Sequence, residues 1–543
     1  MTYNHKKCEY LYQLANVKPN VKQKIITYWK QISNPRQLGI SLIVSGLIYL
    51  AFTLPFPLSR YYTANPPVDY AKLTQHSVWG FAAYPAGILS IFGLYLINLR
   101  ALTQPTSRFS DKQIFRLILL SGAAFALILL FSYPQMAIDM LVYALHSRGW
   151  ALYGLSPFIA NVEAFPPGDP WAGLAGEWSD AASPYGPLWE WLSLGAYHLS
   201  GGNFLVQLYI LKIIGVLAYL GSAWLIYRIL RLVHPHWAMA GTAFFAWNPL
   251  VLFESVQNAH NDIVMVFFLL LAIWAYTRLL DTPKGWQYFA FSALFILGFT
   301  FSILIKFITL LILPFFLLGL ALRQKNWLNR FAVMTVNGLA IMLLSGLLMR
   351  PDWPGWENWA VLQAGEGAGR SLAALLVLAL REIPEISTSQ AFTYTNRLIY
   401  LTFGGIYLWG LWRVICQGRK CFSATAITPN AAFEAPLRAG FYIFVWYILL
   451  VASVFHAWYL LWFISLAALL IPEKRVLSVA FIFSLMALLV IPYYETIRVW
   501  LPYLNQNHLL GHLIGVPLLI VPVLFSLWMP ILILPEFTGD KWG

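Results

Sequence analysis

Residues 131–191 read FSYPQMAIDMLVYALHSRGWALYGLSPFIANVEAFPPGDPWAGLAGEWSDAASPYGPLWEW. This run carries Asp139, Arg148, Glu163, Asp169, Glu177, Asp180 and Glu190 among clustered Pro, Gly and Trp, whereas the sequence on either side consists of long apolar runs. Loops of about sixty residues between hydrophobic spans are uncommon and usually functional. An acid placed just past the end of a span sits at the membrane–water interface. There it can act on a molecule whose tail lies in lipid and whose head does not.

The whole chain supports that setting. Of its 543 residues 59% are hydrophobic and 10% charged, against the quarter or so of charged residues typical of soluble domains. That is the composition of an all-α polytopic membrane protein. The 24 Trp suit interfacial belts. The net charge of +13 would suit a nucleic-acid binder, but the basic surplus collects in segments assigned to the cytoplasm, so it sets orientation and no nucleic-acid partner is expected. The three cysteines, Cys8, Cys416 and Cys421, fit no disulfide framework or zinc motif. The first 38 residues are polar and basic without an apolar core, which predicts a cytoplasmic segment 1–38 and an uncleaved first span.

Apolar runs long enough to cross a bilayer are found at 39–56, 77–98, 114–133, 204–228, 236–254, 262–280, 286–304, 307–323, 331–349, 393–415, 438–455, 458–472, 476–494 and 509–533. These predict about fourteen spans in one transmembrane domain, 39–543, with both termini cytoplasmic and two outer segments, 131–191 and 350–392. The run 286–323 is divided at Lys306 because a charge at mid-bilayer is costly and one at a turn is not. Residues 186–200 and 371–380 are apolar but short, and read as interfacial helices. No internal repeat or soluble domain is evident.

Four places carry chemistry. Asp139, Tyr143 and His146 share a face if their segment is helical. A carboxylate at that depth can accept a proton from a hydroxyl nucleophile, or it can simply begin a helix. Gln257-Asn-Ala-His-Asn-Asp262 sets polar residues between two apolar helices, which is costly unless they line a site or cap a helix. Arg148, Lys306, Arg350, Arg370, Arg397 and Arg498 are outer-side cations able to meet a phosphate. Any of them can equally snorkel to headgroups. Lys306, set between two spans, calls for an anionic partner. Phe455-His-Ala-Trp-Tyr-Leu-Leu-Trp462 joins His456 to an aromatic group that reads as a membrane belt. There is no Walker-type glycine loop, HExxH or GxSxG with a partner histidine.

An acid after an early span, Ser183-Pro-Tyr-Gly-Pro-Leu-Trp189, Asn258-Ala-His-Asn-Asp262, Lys306-Phe-Ile-Thr and His456-Ala-Trp-Tyr459 together resemble the GT-C glycosyltransferases. The likeness is above all to bacterial polyprenyl-phosphomannose-dependent α-1,6-mannosyltransferases, over roughly residues 110–495. It implies a GT-C fold whose first large outer loop forms interfacial helices over a cavity open to lipid and water. It implies a polyprenyl-phosphate sugar as donor, an outer-face glycan or glycolipid acceptor, and an inverting displacement with neither metal nor cofactor. Asp139 matches the family's catalytic acid position. Lys306 and Arg397, with Arg148 and Arg498 behind them, would face the departing phosphate. Tyr143, Tyr185, Asn258, His260, Asn261, Asp262, His456 and Tyr459 would hold donor or acceptor. Ser156-Pro157-Phe158 departs from the family's Asn-Pro-Tyr-like stretch. The competing reading is a glycolipid transporter or flippase, for which Lys212 within a span is the main residue. Against it stand the absent repeat and the gathering of polar features on one side.

Overall fold

The computed structural model describes residues 35–530 apart from 65–66, 68, 103–109, 136, 282–284, 325, 356–368, 383–385 and 424–428. Most of the basic N-terminal segment, with Cys8, and part of the second outer segment therefore lie outside the described residues. Within them the regular structure is helical, with only two isolated β-bridges, Pro57 to Ser132 and Gly369 to Val454. Among the described residues ten helices, from Val78–Leu102 to His508–Trp528, are long and apolar enough to cross a membrane. The chain is a multi-pass membrane protein.

All fourteen apolar runs fall on helical structure, but four of them fall short of a full span. Three lie on the shorter helices Gln37–Thr53, Phe307–Leu322 and Ala457–Leu469. The fourth, 236–254, breaks after Ala238–Ala246. Its cause is Asn248-Pro249: the proline can only start a helix, and the Asn248 side chain accepts from the Leu250 and Val251 amides at 3.0 and 3.4 Å. The chain then continues through Pro249–Leu252 into a π turn, Phe253–Gln257. Lys306 divides the long run as expected. It is extended (φ −153°, ψ 124°), between the helix Trp286–Ile305 and the 3-10 turn Phe307–Leu311.

The long loop 131–191 folds on itself. Asp139–Tyr153 is a helix closed by Gly154 in the left-handed region (φ 68°), which glycine adopts without strain. Past it the chain returns to be tied at Asp169. This carboxylate accepts from Arg148 Nε and Nη2, both at 2.8 Å, from Tyr153 Oη at 2.6 Å and from the Trp171 amide at 2.8 Å. Burial pushes its pKa up, but those donors outweigh burial and hold it below the usual carboxylate value. Trp171 then stacks on Phe204 (centroids 4.9 Å apart), joining the loop to the next span. Pro187–Leu199 and Leu372–Glu382 are helices, as the apolar segments there suggested.

Lys212 is buried in Phe204–Val233, and its ammonium donates to Leu129 O at 3.1 Å and Ser132 O at 2.6 Å. These carbonyls close the helix Asp111–Leu130, where a cation is favoured by the exposed acceptors and by the dipole. The residue that a transporter reading leans on is thus a helix cap.

The Asp169 knot makes a prediction. Arg148→Ala leaves a buried carboxylate short of two charge-assisted bonds, costing the loop about 2–4 kcal/mol. Limited proteolysis should cut within 154–182 faster in the variant while the thermal midpoint of the membrane helices stays put. Equal cutting rates would show that the knot does not hold the loop.

Candidate functional site

The site begins with a glycine. A Cβ on Gly186 would stand 2.1 Å from Leu304 O, so only glycine lets the loop lie against the end of Trp286–Ile305. The Gly186 amide donates to Ile305 O at 3.0 Å. Ser183 steadies the approach: its hydroxyl donates to the buried carboxyl of Glu190 at 2.5 Å and accepts from the Tyr185 amide at 3.3 Å. Tyr185 is thereby carried between Asp139 and Lys306. Its hydroxyl donates to Asp139 Oδ1 at 2.9 Å and lies 3.5 Å from Tyr143 Oη. Lys306 Nζ stands 5.6 Å from the centre of its ring.

Lys306 finds the anion its position calls for. Nζ is 2.9 and 3.1 Å from the two Asp262 oxygens, and Asp262 Oδ1 also accepts from Trp462 Nε1 at 2.5 Å. The Tyr459 and Trp462 rings lie 5.2 and 5.5 Å from the ammonium. Trp462 is therefore a buried ligand of the ion pair and not part of a membrane belt.

The Asn258–Asp262 turn hangs from the π turn before it. Ala259 takes a positive φ of 55°. Asn258 Oδ1 accepts from the Gln135 amide and Nδ2 donates to Glu254 Oε2, each at 2.9 Å. His260 Nε2 is 3.3 Å from the same Glu254 oxygen, and its ring stacks on Trp458 at 3.9 Å. Trp458 in turn stacks on His456 at 4.2 Å. The Asn261 side chain is buried without a hydrogen bond, and Asp262 is committed to Lys306, so simple helix capping does not account for this turn.

Above these residues lies a cavity of about 660 Å³. Asp139, Tyr143, Tyr185, Lys306, His456 and Tyr459 all line it. His146 lines it too, but burial pushes its imidazole down to about 4, so it is neutral there. His456 is likewise held well below its ordinary value, by burial first and then by the charges of Arg370 and Lys306. Asn258, His260, Asn261 and Asp262 form the layer beneath. Three of the expected cations do not line the cavity: Arg148 serves Asp169, Arg397 is exposed, and Arg498 lies against Tyr494 (5.7 Å to the ring centre). The residues that reach the cavity from the Arg397 helix are Asn396 and Tyr400, one turn apart and flanking it. Their spacing was readable; their facing was not. Glu254, buried and bound to Asn258, was also missed because it falls within an apolar run. Among the described residues no group of three or more His, Cys, Asp or Glu side chains is placed to hold a metal ion.

A family model described as alpha-(1->6)-mannopyranosyltransferase, N-terminal domain, matches residues 25–322. The chain belongs to this family. The resemblance read from the motifs therefore holds, and the matched region takes in Asp139, the Gly186 approach, the Asn258–Asp262 turn and Lys306. Among curated family members, alpha-(1->6)-mannopyranosyltransferase A of Corynebacterium glutamicum is similar, with 27% identity over 143 residues, 25% of this chain and 28% of that protein. The alignment thus spans little more than a quarter of that relative. Among solved structures, the archaeal oligosaccharyltransferase AglB from Archaeoglobus fulgidus, in complex with an inhibitory peptide and a dolichol-phosphate, is a loose match. Its TM-score is 0.40 at 12% identity, covering 77% of this chain and 56% of that one.

Two measurements probe the site's construction. Lys306→Met should cost about 3–5 kcal/mol, since it strands a buried carboxylate, and Asp262→Asn in the same chain should recover most of that. Thermal unfolding in detergent of the single and double variants reads the coupling, and simple additivity would dismiss the pair. Burial, opposed only in part by Ser183, lifts Glu190 from 4.5 to about 7. The folded state then keeps a proton that the unfolded chain releases, so its stabilising contribution fades as pH rises from about 4.5 to 7. Hydrogen exchange of Pro187–Leu199 should quicken over that window in the wild type and hold steady in Glu190→Gln. A shared slope would remove Glu190 as its source.

Proposed function

We propose that this chain transfers mannose from a polyprenyl-phosphate donor to a glycan or glycolipid acceptor on the outer face of the membrane, with both termini in the cytoplasm. Family membership supports the sugar, and the composition of the cavity supports the chemistry. The carrying observation is that Asp139 and Lys306 face one cavity with Tyr185 between them.

In the proposed reaction the acceptor hydroxyl attacks C1 of the sugar from the face opposite the leaving group. The C1–O bond to phosphate breaks, its electron pair stays on the phosphate oxygen, and the hydroxyl proton passes to Asp139. The donor phosphodiester becomes a phosphate monoester and configuration at C1 inverts. Tyr185 holds Asp139 by one oxygen and leaves the other for the acceptor. Charge gathers on phosphate as the bond breaks, so pre-placed cations and donors lower the barrier. The acceptor, a polar glycan, would enter from the aqueous side past the loop residues Trp178 and Ala181, which line the cavity.

The test uses purified protein in detergent, a short-chain polyprenyl-phosphomannose and an oligomannoside. Wild type should turn over, and Asp139→Asn should lose about 10²–10⁴-fold in kcat with little change in donor KM. Turnover unchanged in Asp139→Asn would remove it as the base. No turnover in wild type would count against this donor and sugar.

A further inference from the structure

The cavity's own charges are wrong for a phosphate. Among the described residues of the cavity, one cation, Lys306, faces two carboxylates, Asp139 lining the space and Asp262 beneath it, and the second of these already holds it. Buried just below is a third acid, Glu254. An anion entering beside Lys306 alone meets net negative formal charge, and repulsion in a partly desolvated site is strong.

A second cation, Arg370, stands behind the wall formed by Ser453, Val454 and His456. Gly369 pairs with the strand-like stretch that forms that wall: its amide donates to Ser453 O at 3.0 Å and its carbonyl accepts from the Phe455 amide at 2.9 Å. The Ser371 hydroxyl donates to Ser453 O at 2.6 Å. Ser453, Val454 and His456 all line the cavity. Arg370 is thereby pinned between two anchored neighbours, with a backbone φ of 56° that L-residues adopt at a cost. Its guanidinium lies over the Tyr494 ring at 5.1 Å, Arg498 lies by the same ring at 5.7 Å, and Arg370 pairs with Glu495. Arg498 donates from Nε to Leu504 O at 3.4 Å and nearby Lys72 and Asp69 neutralise each other at 3.5 Å, so two arginines stand here against the one carboxylate of Glu495. This edge of the cavity carries the surplus positive charge. The Arg370 side chain is 38% exposed, with Nη2 given to Glu495.

We infer that Arg370, supported by Arg498 across Tyr494, binds the phosphate of a lipid-linked ligand at the Ser453–His456 edge of the cavity, and that Lys306 and Asp262 serve the sugar side. This rests on the donor reading above. A planar fork suits two phosphate oxygens. It also suits the reaction, because the departing phosphate gains most of a second negative charge at neutral pH. The ion pair at Lys306 then positions Tyr185 and the sugar and is not the principal phosphate clamp.

The experiment measures binding of farnesyl phosphate, farnesol and inorganic phosphate to purified protein in detergent. Wild type should prefer farnesyl phosphate to farnesol and bind inorganic phosphate far more weakly than the lipid form. Arg370→Gln should weaken farnesyl phosphate by about 10- to 100-fold, the loss of a charge-assisted bond, and leave farnesol unchanged. Arg370→Lys should recover part of the loss, and Arg397→Gln should bind as wild type. Because Arg370→Gln strands Glu495, the same measurement is made on Arg370→Gln/Glu495→Gln, with farnesol binding as the check that the cavity survives. Farnesyl phosphate bound equally by wild type and both Gln variants overturns the assignment of Arg370 and leaves the donor reading standing. Wild type indifferent to the phosphate overturns both.

Discussion

The ion pair of Lys306 and Asp262 is the joint on which the candidate site turns. Lys306 interrupts a helical run, Asp262 starts the helix after the polar turn, and Trp462 reaches the same carboxylate from a third part of the chain. Buried pairs are poor sources of net stability, but leaving one member alone is expensive. The pair therefore specifies an arrangement more than it strengthens one. Once Lys306 is fixed, Ile305 is available to the Gly186 amide, Tyr185 follows, and Asp139 receives its hydrogen bond.

Layering explains why so many polar residues are gathered without a single overcrowded pocket. Asp139, Tyr185 and His456 touch open space, while Asn258, His260 and Asp262 hold them from below through stacked rings and short hydrogen bonds. The three π turns, Phe253–Gln257, Tyr447–Val451 and Tyr493–Ile497, fit this arrangement. π segments are frequent at functional positions. Tyr447 and Val451 both line the cavity from one of them.

Much of this was legible in the sequence because membranes punish unexplained polarity. Lys306 had to sit at a break with an acid beside it, and it does. The polar turn had to line or support something, and it does. What sequence could not supply was facing. Arg397 and Asn396 are adjacent, yet only Asn396 reaches the cavity, since a helix turns 100° per residue and nothing in so apolar a run fixes its rotation. Arg148 was chosen for its charge, but the competing carboxylate at Asp169 lies twenty-one residues on and is brought near only by folding. The run 236–254 is broken for a local reason, the Asn248-Pro249 cap inside an otherwise continuous apolar stretch.

Lys212 has a bearing on how the molecule is built. A lysine within a span raises the cost of inserting that helix alone, by about 2.5–3.5 kcal/mol at the helix centre and less towards an end, where Lys212 lies. Its acceptors, the carbonyls of Leu129 and Ser132, were synthesised 83 and 80 residues earlier and wait at the end of a preceding helix. Neither partner is complete in lipid by itself. The nascent chain is thus given a reason to keep Asp111–Leu130 close until Phe204–Val233 arrives, and the loop between them is closed by the same event. Biogenesis of the loop that carries Asp139 is in this way tied to the lateral meeting of two helices, before any part of the C-terminal half exists.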